Sequence, residues 1–455
     1  MKCKRKFMAT VLLMSAVMLS GSVELYPSGV AFANSANREY RGYDSSGVIV
    51  TNENCPIVVD KEVLTFNIPN STASDSAYVG SRVAYKGSVT AEYTFRNPSE
   101  LTAEVHCVFP FGFPPVGETD ALPGKDVFAV KKNGVDLNPK VRLTYKRFNY
   151  GSFELDNDLQ QLADDYISDG SLTTETPVYE YEITVGEGRD KVVPAFVRYT
   201  YKYNNSEITP LVCDAEASKR IYADKTITFT KKVGDDGKMS LVYIGEAVKI
   251  TEYDFDLLDE KQKLIDGSVD IEQKPARKLK DFVLEYKNSG IGASDIDWFN
   301  ASVNMLQSRR TVFKSDLLLK GCLFYWFDYT LTFAPGETLT NTVTAPMYPT
   351  VNAWYEPNKY EFTYLLSPAS TWADFNDLTI CINTDMYLLD SGTQRQTLSS
   401  EDYGRMEKQN IEFQSGEGSF QTHFDKLPDG ELVFTLCSVE NPDRYNAYVF
   451  GKRCA

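Results

Sequence analysis

Apolar and polar residues alternate along most of this chain with a period of two. Val89, Ala91, Tyr93 and Phe95 fall on one side and Thr90, Glu92, Thr94 and Arg96 on the other, until Asn97-Pro98 interrupts. Leu101, Ala103, Val105, Cys107 and Phe109 repeat the pattern against Thr102, Glu104 and His106. Successive side chains of a strand point to opposite faces, so this spacing builds strands with one dry face and does not suit a helix. It predicts that the second run pairs with the first in an antiparallel sheet with one wet face.

The same period returns in Tyr179, Tyr181, Ile183 and Val185, in Val197, Tyr199, Tyr201 and Tyr203, and in Tyr325, Phe327, Tyr329, Leu331 and Phe333. Further strands are predicted at Leu339 to Ala345, at Tyr360, Phe362 and Tyr364, at Leu378, Ile380 and Ile382, and at Leu432 to Leu436. Asn133-Gly134 tolerates the positive φ angles of a tight type I′ turn and predicts a hairpin. Gly234-Asp235-Asp236-Gly237, between Thr226–Thr230 and Leu241–Ile244, predicts another. Tyr (28) and Phe (26) supply most of the aromatic residues, a balance that suits half-buried pleated strands.

Helical spacing is confined to two places. Leu155, Leu159, Leu162 and Tyr166 recur at helical intervals and stop at Asp169-Gly170. Ser294, with Asp297 three residues on, resembles a capping box leading into Ile296, Phe299, Val303 and Leu306. The expected fold is mostly β: two antiparallel β-sandwich domains with small helical inserts. The expected divisions are a signal peptide over 1–33, an N-terminal sandwich over 34–150, and a mixed segment over 151–320 that completes or bridges the sandwiches. A C-terminal sandwich over 321–455 follows. The charged stretch Lys261 to Lys280 is expected to be a surface connection.

Residues 1–33 begin with Lys2, Lys4, Arg5 and Lys6, continue through an apolar run from Phe7 to Leu19, and end in Ala31-Phe32-Ala33. That order reads as a secretory signal peptide. A retained anchor is the competing reading, but Ser15, Ser20, Gly21, Ser22 and Glu24 break the run short of the roughly 20 residues a spanning helix needs. A secreted, extracellular or cell-wall-associated protein is expected, with no integral membrane segment after signal removal. Removing Lys2, Lys4, Arg5, Lys6 and Glu24 takes the formal net charge from −16 to −19. A surface that acidic repels phosphate backbones, which argues against nucleic-acid partners.

Two stretches resemble known proteins. Gly87-Ser-Val-Thr-Ala-Glu-Tyr-Thr-Phe-Arg-Asn-Pro-Ser99, Val105-His-Cys-Val-Phe-Pro-Phe-Gly112 and Phe128-Ala-Val-Lys-Lys-Asn-Gly134 resemble a family of uncharacterised secreted bacterial proteins. More distantly, they resemble the β-sandwich of vault/inter-alpha-trypsin-type domains. Tyr364 to Ile380 is similar to the secreted family as well. The resemblance implies a β-sandwich and carries over no catalytic residues.

Chemistry-bearing residues are sparse. The two histidines are His106 and His423. His106 adjoins Cys107, but strand neighbours face opposite ways and cannot form a thiol–imidazole dyad. No G-x-S-x-G, H-E-x-x-H or phosphate-loop pattern occurs. Seven cysteines follow residue 33, scattered without C-x-x-C spacing, so neither a metal nor a cofactor is expected. Asp156, Asp158, Asp164, Asp165 and Asp169 miss the spacing of a calcium loop and read as a solvated helix face. Tyr348, Trp354, Tyr355, Tyr360 and Trp372 surround a Pro- and Asn-containing connection. Of these, Trp354, Tyr355, Tyr360 and Trp372 are the candidate ligand-binding residues, because loop aromatics stack on sugar rings or anchor protein partners. Filling an inter-sheet gap is their alternative role. The expected function is a non-enzymatic binding or surface-interaction role toward a glycan or cell-surface protein. An extracellular polysaccharide hydrolase with paired carboxylates is the alternative.

Overall fold

Each run of alternating residues folds as a strand. In the computed structural model Val89, Ala91, Tyr93 and Phe95 are buried on the strand Gly87–Arg96, and Val105, Cys107 and Phe109 on Ala103–Gly112. The structure describes residues 39–40, 45–52, 54–69, 78–79, 82–83, 87–112, 129–145, 159–162, 172–186, 194–202, 211–213, 217–221, 226–245, 247–287, 292–308, 311–312, 323–347, 349–397 and 405–444. The expected signal peptide, Tyr348, and the acidic residues Asp156, Asp158, Asp164, Asp165 and Asp169 lie outside them. The fold is mostly β, with many sheets and few helices.

Neighbours in sequence pair less often than the pattern suggests. Gly87–Arg96 lies between Val58–Asn67 and Thr338–Met347. Ala103–Gly112, expected beside it, instead pairs with Leu323–Phe333 and Ile49–Val50 in a different sheet. Leu323–Phe333 and Thr338–Met347 are split between the same two sheets, so the chain forms two stacked arches. The Phe95 and Phe333 rings meet edge-on across the gap at 6.2 Å. The Tyr329 hydroxyl donates to Asn341 Oδ1 at 2.9 Å. An arch turns the apolar faces of its two strands toward each other, whereas a hairpin sets them side by side and leaves both uncovered.

Asn97 holds the two arch corners together. Its backbone N–H donates to the Glu337 carbonyl at 2.9 Å. Its side-chain amide donates to the carbonyls of Leu101 and Ala334 at 2.8 and 3.0 Å, and its Oδ1 accepts from the Ser99 amide and hydroxyl. Asn97 is fully buried. Asn97→Ala removes the side-chain bonds to Leu101, Ala334 and Ser99 together, and is expected to cost about 2–3 kcal/mol in urea unfolding. An unchanged midpoint would show that the corners hold without it.

The largest sheet runs Val135–Asp136, Ala129–Lys132, Thr338–Met347, Gly87–Arg96, Val58–Asn67, Leu378–Asn383, Ser419–Phe424, Gln414–Gly416. Its neighbours are antiparallel except that Val58–Asn67 pairs in parallel with Leu378–Asn383 and with the short strand Asp374–Phe375. The Asn133-Gly134 turn forms as expected, with φ of 50° and 77°. Phe66 of this sheet meets Tyr364 and Phe434 of the facing sheet at 5.7 and 5.0 Å. Residues from 34–150 and from 321–455 thus share one sandwich rather than forming one each. The second core belongs to the middle of the chain. There Tyr181, Ile183, Leu241 and Tyr243 pack on Val197, Tyr199 and Phe229, and Tyr199 stacks on Phe229 at 5.2 Å. The Gly234–Gly237 turn is not a hairpin. Thr226–Lys232 and Lys238–Ile244 lie in different sheets, and the turn crosses between them. The Lys261 to Lys280 stretch carries an exposed edge strand, Ser268–Gln273, on Pro177–Gly186.

Among the described residues the helices Leu279–Leu284 and Asp295–Ser308 lie beside this framework; most of the helix expected from Leu155 to Tyr166 lies outside the described residues. Ser294 caps the second as its spacing predicts: the Asp297 N–H donates to Ser294 Oγ at 3.1 Å. Trp298, Phe299, Val303 and Leu306 are buried, while Ile296 faces solvent. The Trp298 indole N–H donates to the Val283 carbonyl at 3.2 Å and links the two helices. Among the described residues no helix is long and apolar enough to cross a membrane.

Candidate functional site

The structure divides the four candidate aromatics into two pairs. Tyr360 and Trp372 are core residues, 3% and 5% exposed. Trp372 stacks on Phe95 at 4.2 Å and donates its indole N–H to the Val48 carbonyl at 3.3 Å. Neither can offer a ring to a ligand, so the gap-filling role applies to both. Tyr360 shares its face with Phe362 and Tyr364, which places it inward by strand parity.

Trp354 and Tyr355 are half-buried and sit where the chain turns from Thr350–Asn352 into Tyr355–Glu356. The Trp354 N–H donates to Asn352 Oδ1 at 3.1 Å, an Asx turn that orients the corner. The Lys359 ammonium lies 3.6 Å from the centre of the Tyr355 ring. An aromatic pair, a cation and a carboxamide are thereby grouped within a few residues. That combination suits stacking and hydrogen bonding to a polar ring.

A second group lies on the sheet beside the capped helix; the sequence marks His106 in it as an outward residue and Ser294 and Asp297 as a helix cap, but not Thr51, Arg142 or Asp328. His106 Nε2 is 2.6 Å from Asp328 Oδ1, and His106 Nδ1 is 2.6 Å from Thr51 Oγ1. Arg142 donates from Nη1 to Asp328 Oδ2 and from Nε to both oxygens of Asp297, each at 3.1 Å. Ser294 Oγ donates to Asp297 Oδ2 at 2.8 Å. Asp328 and Asp297 are buried and Arg142 nearly so, while the His106 side chain is 40% exposed. Burial pushes the Asp328 carboxyl up, but His106 and Arg142 outweigh it and hold it below the usual carboxylate range. Burial pulls Arg142 down, and Asp297 and Asp328 more than restore it. Strand parity brings Arg142, Asp328 and His106 to one face, through the cross-strand pairs Arg142↔Trp326, Asp328↔Val108 and Thr330↔His106. Cys107 faces the opposite way, fully buried, as predicted.

A third feature is Glu62, 2% exposed on the core-facing side of Val58–Asn67. The register shifts between Val59 and Lys61, and this bulge turns Glu62, Leu64 and Phe66 inward. Burial pushes the Glu62 carboxyl up to about 8, with the Tyr93 hydrogen bond working against it. Glu62 Oε1 has no hydrogen-bond partner. Tyr93 in turn accepts the Val48 N–H at 3.1 Å. The signal in the sequence was the parity of Glu62 with Leu64 and Phe66.

These carboxylates are poor material for the hydrolase alternative. Asp297 and Asp328 share one guanidinium, and Glu62 is sealed in the core, so none of them faces another across a cleft. Among the described residues no three His, Cys, Asp or Glu side chains converge as a metal site. Cys55, Cys107, Cys381 and Cys437 are free thiols.

No protein-family model and no curated protein matches the chain. Among solved structures it is similar to a candidate nutrient-binding protein from Legionella pneumophila, with 10% sequence identity, a TM-score of 0.31, and coverage of 88% of this chain and 72% of that one. A likeness of that size carries neither a fold assignment nor a function.

Proposed function

We propose that this is an exported binding protein that meets a glycan through the Trp354–Tyr355 corner. The observation that carries the reading is the half-exposed aromatic pair with Lys359 against Tyr355 and Asn352 holding the turn. Sugar rings present apolar C–H faces and hydroxyl edges, and an aromatic face beside amide and ammonium donors complements both. Export rests on the basic head, apolar run and small-residue exit of residues 1–33. The resemblance to secreted bacterial proteins supports the same placement.

The reading predicts retention of the full chain on immobilised cell-wall polysaccharide. Trp354→Ala is expected to weaken it by about 30-fold, the size of a hot-spot truncation. Trp372→Phe, a core change, is expected to leave affinity alone. Affinity that survives Trp354→Ala sinks the glycan reading. Binding to a cell-surface protein fraction but not to polysaccharide redirects it to a protein partner.

A further inference from the structure

We propose that Thr51, His106 and Asp328 form a hydroxyl–imidazole–carboxylate relay that cleaves small acyl esters at the surface. It is independent of the glycan reading and stands or falls without it. Thr51 and His106 face each other on paired strands: the Thr51 N–H donates to the His106 carbonyl at 3.1 Å, beside the pair Val50↔Cys107. Thr51 Oγ1 is also 3.4 Å from that carbonyl oxygen, but the imidazole nitrogen is much closer, at 2.6 Å. Thr51 is exposed and Asp328 is buried, so the relay runs from solvent inward.

The proton inventory follows from the acceptors. Ionised Asp328 accepts a hydrogen bond, so the proton of neutral His106 sits on Nε2, and Nδ1 is left to accept from the Thr51 hydroxyl. Asp328 thereby sets the tautomer and ring orientation, as the carboxylate of a catalytic triad does. It is itself fixed by Arg142. Asp328 and Arg142 are positioning residues here, and Thr51 and His106 are the catalytic pair.

As Thr51 Oγ1 bonds to an ester carbonyl carbon, its proton passes to His106 Nδ1. The adduct collapses by breaking the bond to the alkoxy oxygen, which leaves as the alcohol with the proton from Nδ1. Water then attacks the acyl-threonine, His106 takes its proton, and the return of that proton to Thr51 Oγ1 releases the acid. Asn52 is the candidate oxyanion donor. Its Oδ1 accepts the main-chain N–H of His106 at 2.7 Å, which orients the carboxamide and leaves its NH2 to donate. The branched Cβ of Thr51 crowds the attack, so the substrate class is small, unhindered acyl groups such as acetyl esters.

The test uses the full chain with p-nitrophenyl acetate, following turnover and locating any acetyl group by peptide mass spectrometry. Acetylation at Thr51 is expected, with turnover lost by about 100-fold or more in Thr51→Ala and His106→Gln. Thr51→Ser, a less crowded nucleophile, is expected to raise the rate. Because Thr51 is exposed, Thr51→Ala should unfold at the wild-type temperature, which separates lost chemistry from lost structure. Asp328→Asn is expected to shift the rising limb of the pH–rate profile, where mere loosening would lower the rate equally at every pH. Wild-type protein without turnover, Thr51→Ala within threefold of wild type, or acetyl groups only on other residues would each overturn the proposal.

Discussion

Replacing Arg142 by methionine is expected to lower the unfolding free energy by about 3–5 kcal/mol, the cost of stranding a buried charge. Arg142 is the cation between two carboxylates that are 4% and 9% exposed, each with a bond of 3.1 Å to it. Methionine fills similar space but leaves two anions in a place where water cannot replace the lost partner. Asp328 keeps its bond from His106 and Asp297 its bond from Ser294, which limits the loss without cancelling it. The triple variant Arg142→Met/Asp297→Asn/Asp328→Asn should recover most of the stability, because neutral amides need no cation. Guanidinium unfolding of the three proteins checks this. A single variant as stable as wild type, or a triple variant no better than the single, would show that the ion cluster is not what holds the helix to the sheet.

Glu62 makes the first sandwich less stable as pH rises. Its folded-state pKa of about 8 lies above its ordinary value of 4.5, so the folded chain holds a proton that the unfolded chain has lost. Stability therefore falls as pH climbs through the window from 4.5 to about 8 and levels off above it. The total change is about 5 kcal/mol, because each tenfold difference in proton affinity between the folded and unfolded chain is worth about 1.4 kcal/mol. Glu62→Gln keeps the shape without the charge, so it should flatten this slope and be the more stable protein at pH 8. Urea unfolding at intervals from pH 5 to 9 measures both curves. Parallel curves for wild type and variant would place the pH dependence elsewhere.

Strand existence was legible in the sequence because it is a local property. Val89 to Phe95 and Tyr325 to Phe333 show their parity within a few residues, and burial follows it. Pairing was not. The turns at Asn97–Leu101 and Gly234–Gly237 looked like hairpin loops and proved to be crossings between facing sheets. A turn residue reports that the chain reverses, not whether the returning strand lies beside its predecessor or over it. The same limit hid the relay: Thr51, His106, Arg142, Asp297 and Asp328 are spread over nearly 280 positions. His106 was visible as an outward residue, but its carboxylate comes from a strand more than 200 residues away.

The aromatics show the division most clearly. Sequence identified Trp354, Tyr355, Tyr360 and Trp372 as large apolar surfaces near Pro and Asn, and it held both stacking on a ligand and filling a core as their roles. Only the packed sheets separated them, because Phe95 reached Trp372 from a strand nearly 280 positions earlier while Trp354 stayed half-buried at a corner. Alternation alone determined that this chain is built of strands with one dry face each, since side-chain direction follows from backbone geometry. Which dry faces meet was decided in three dimensions, because loop-closure entropy grows only slowly with chain length and distant strands compete nearly on equal terms with near ones. That competition is why residues from both ends of the chain share one core.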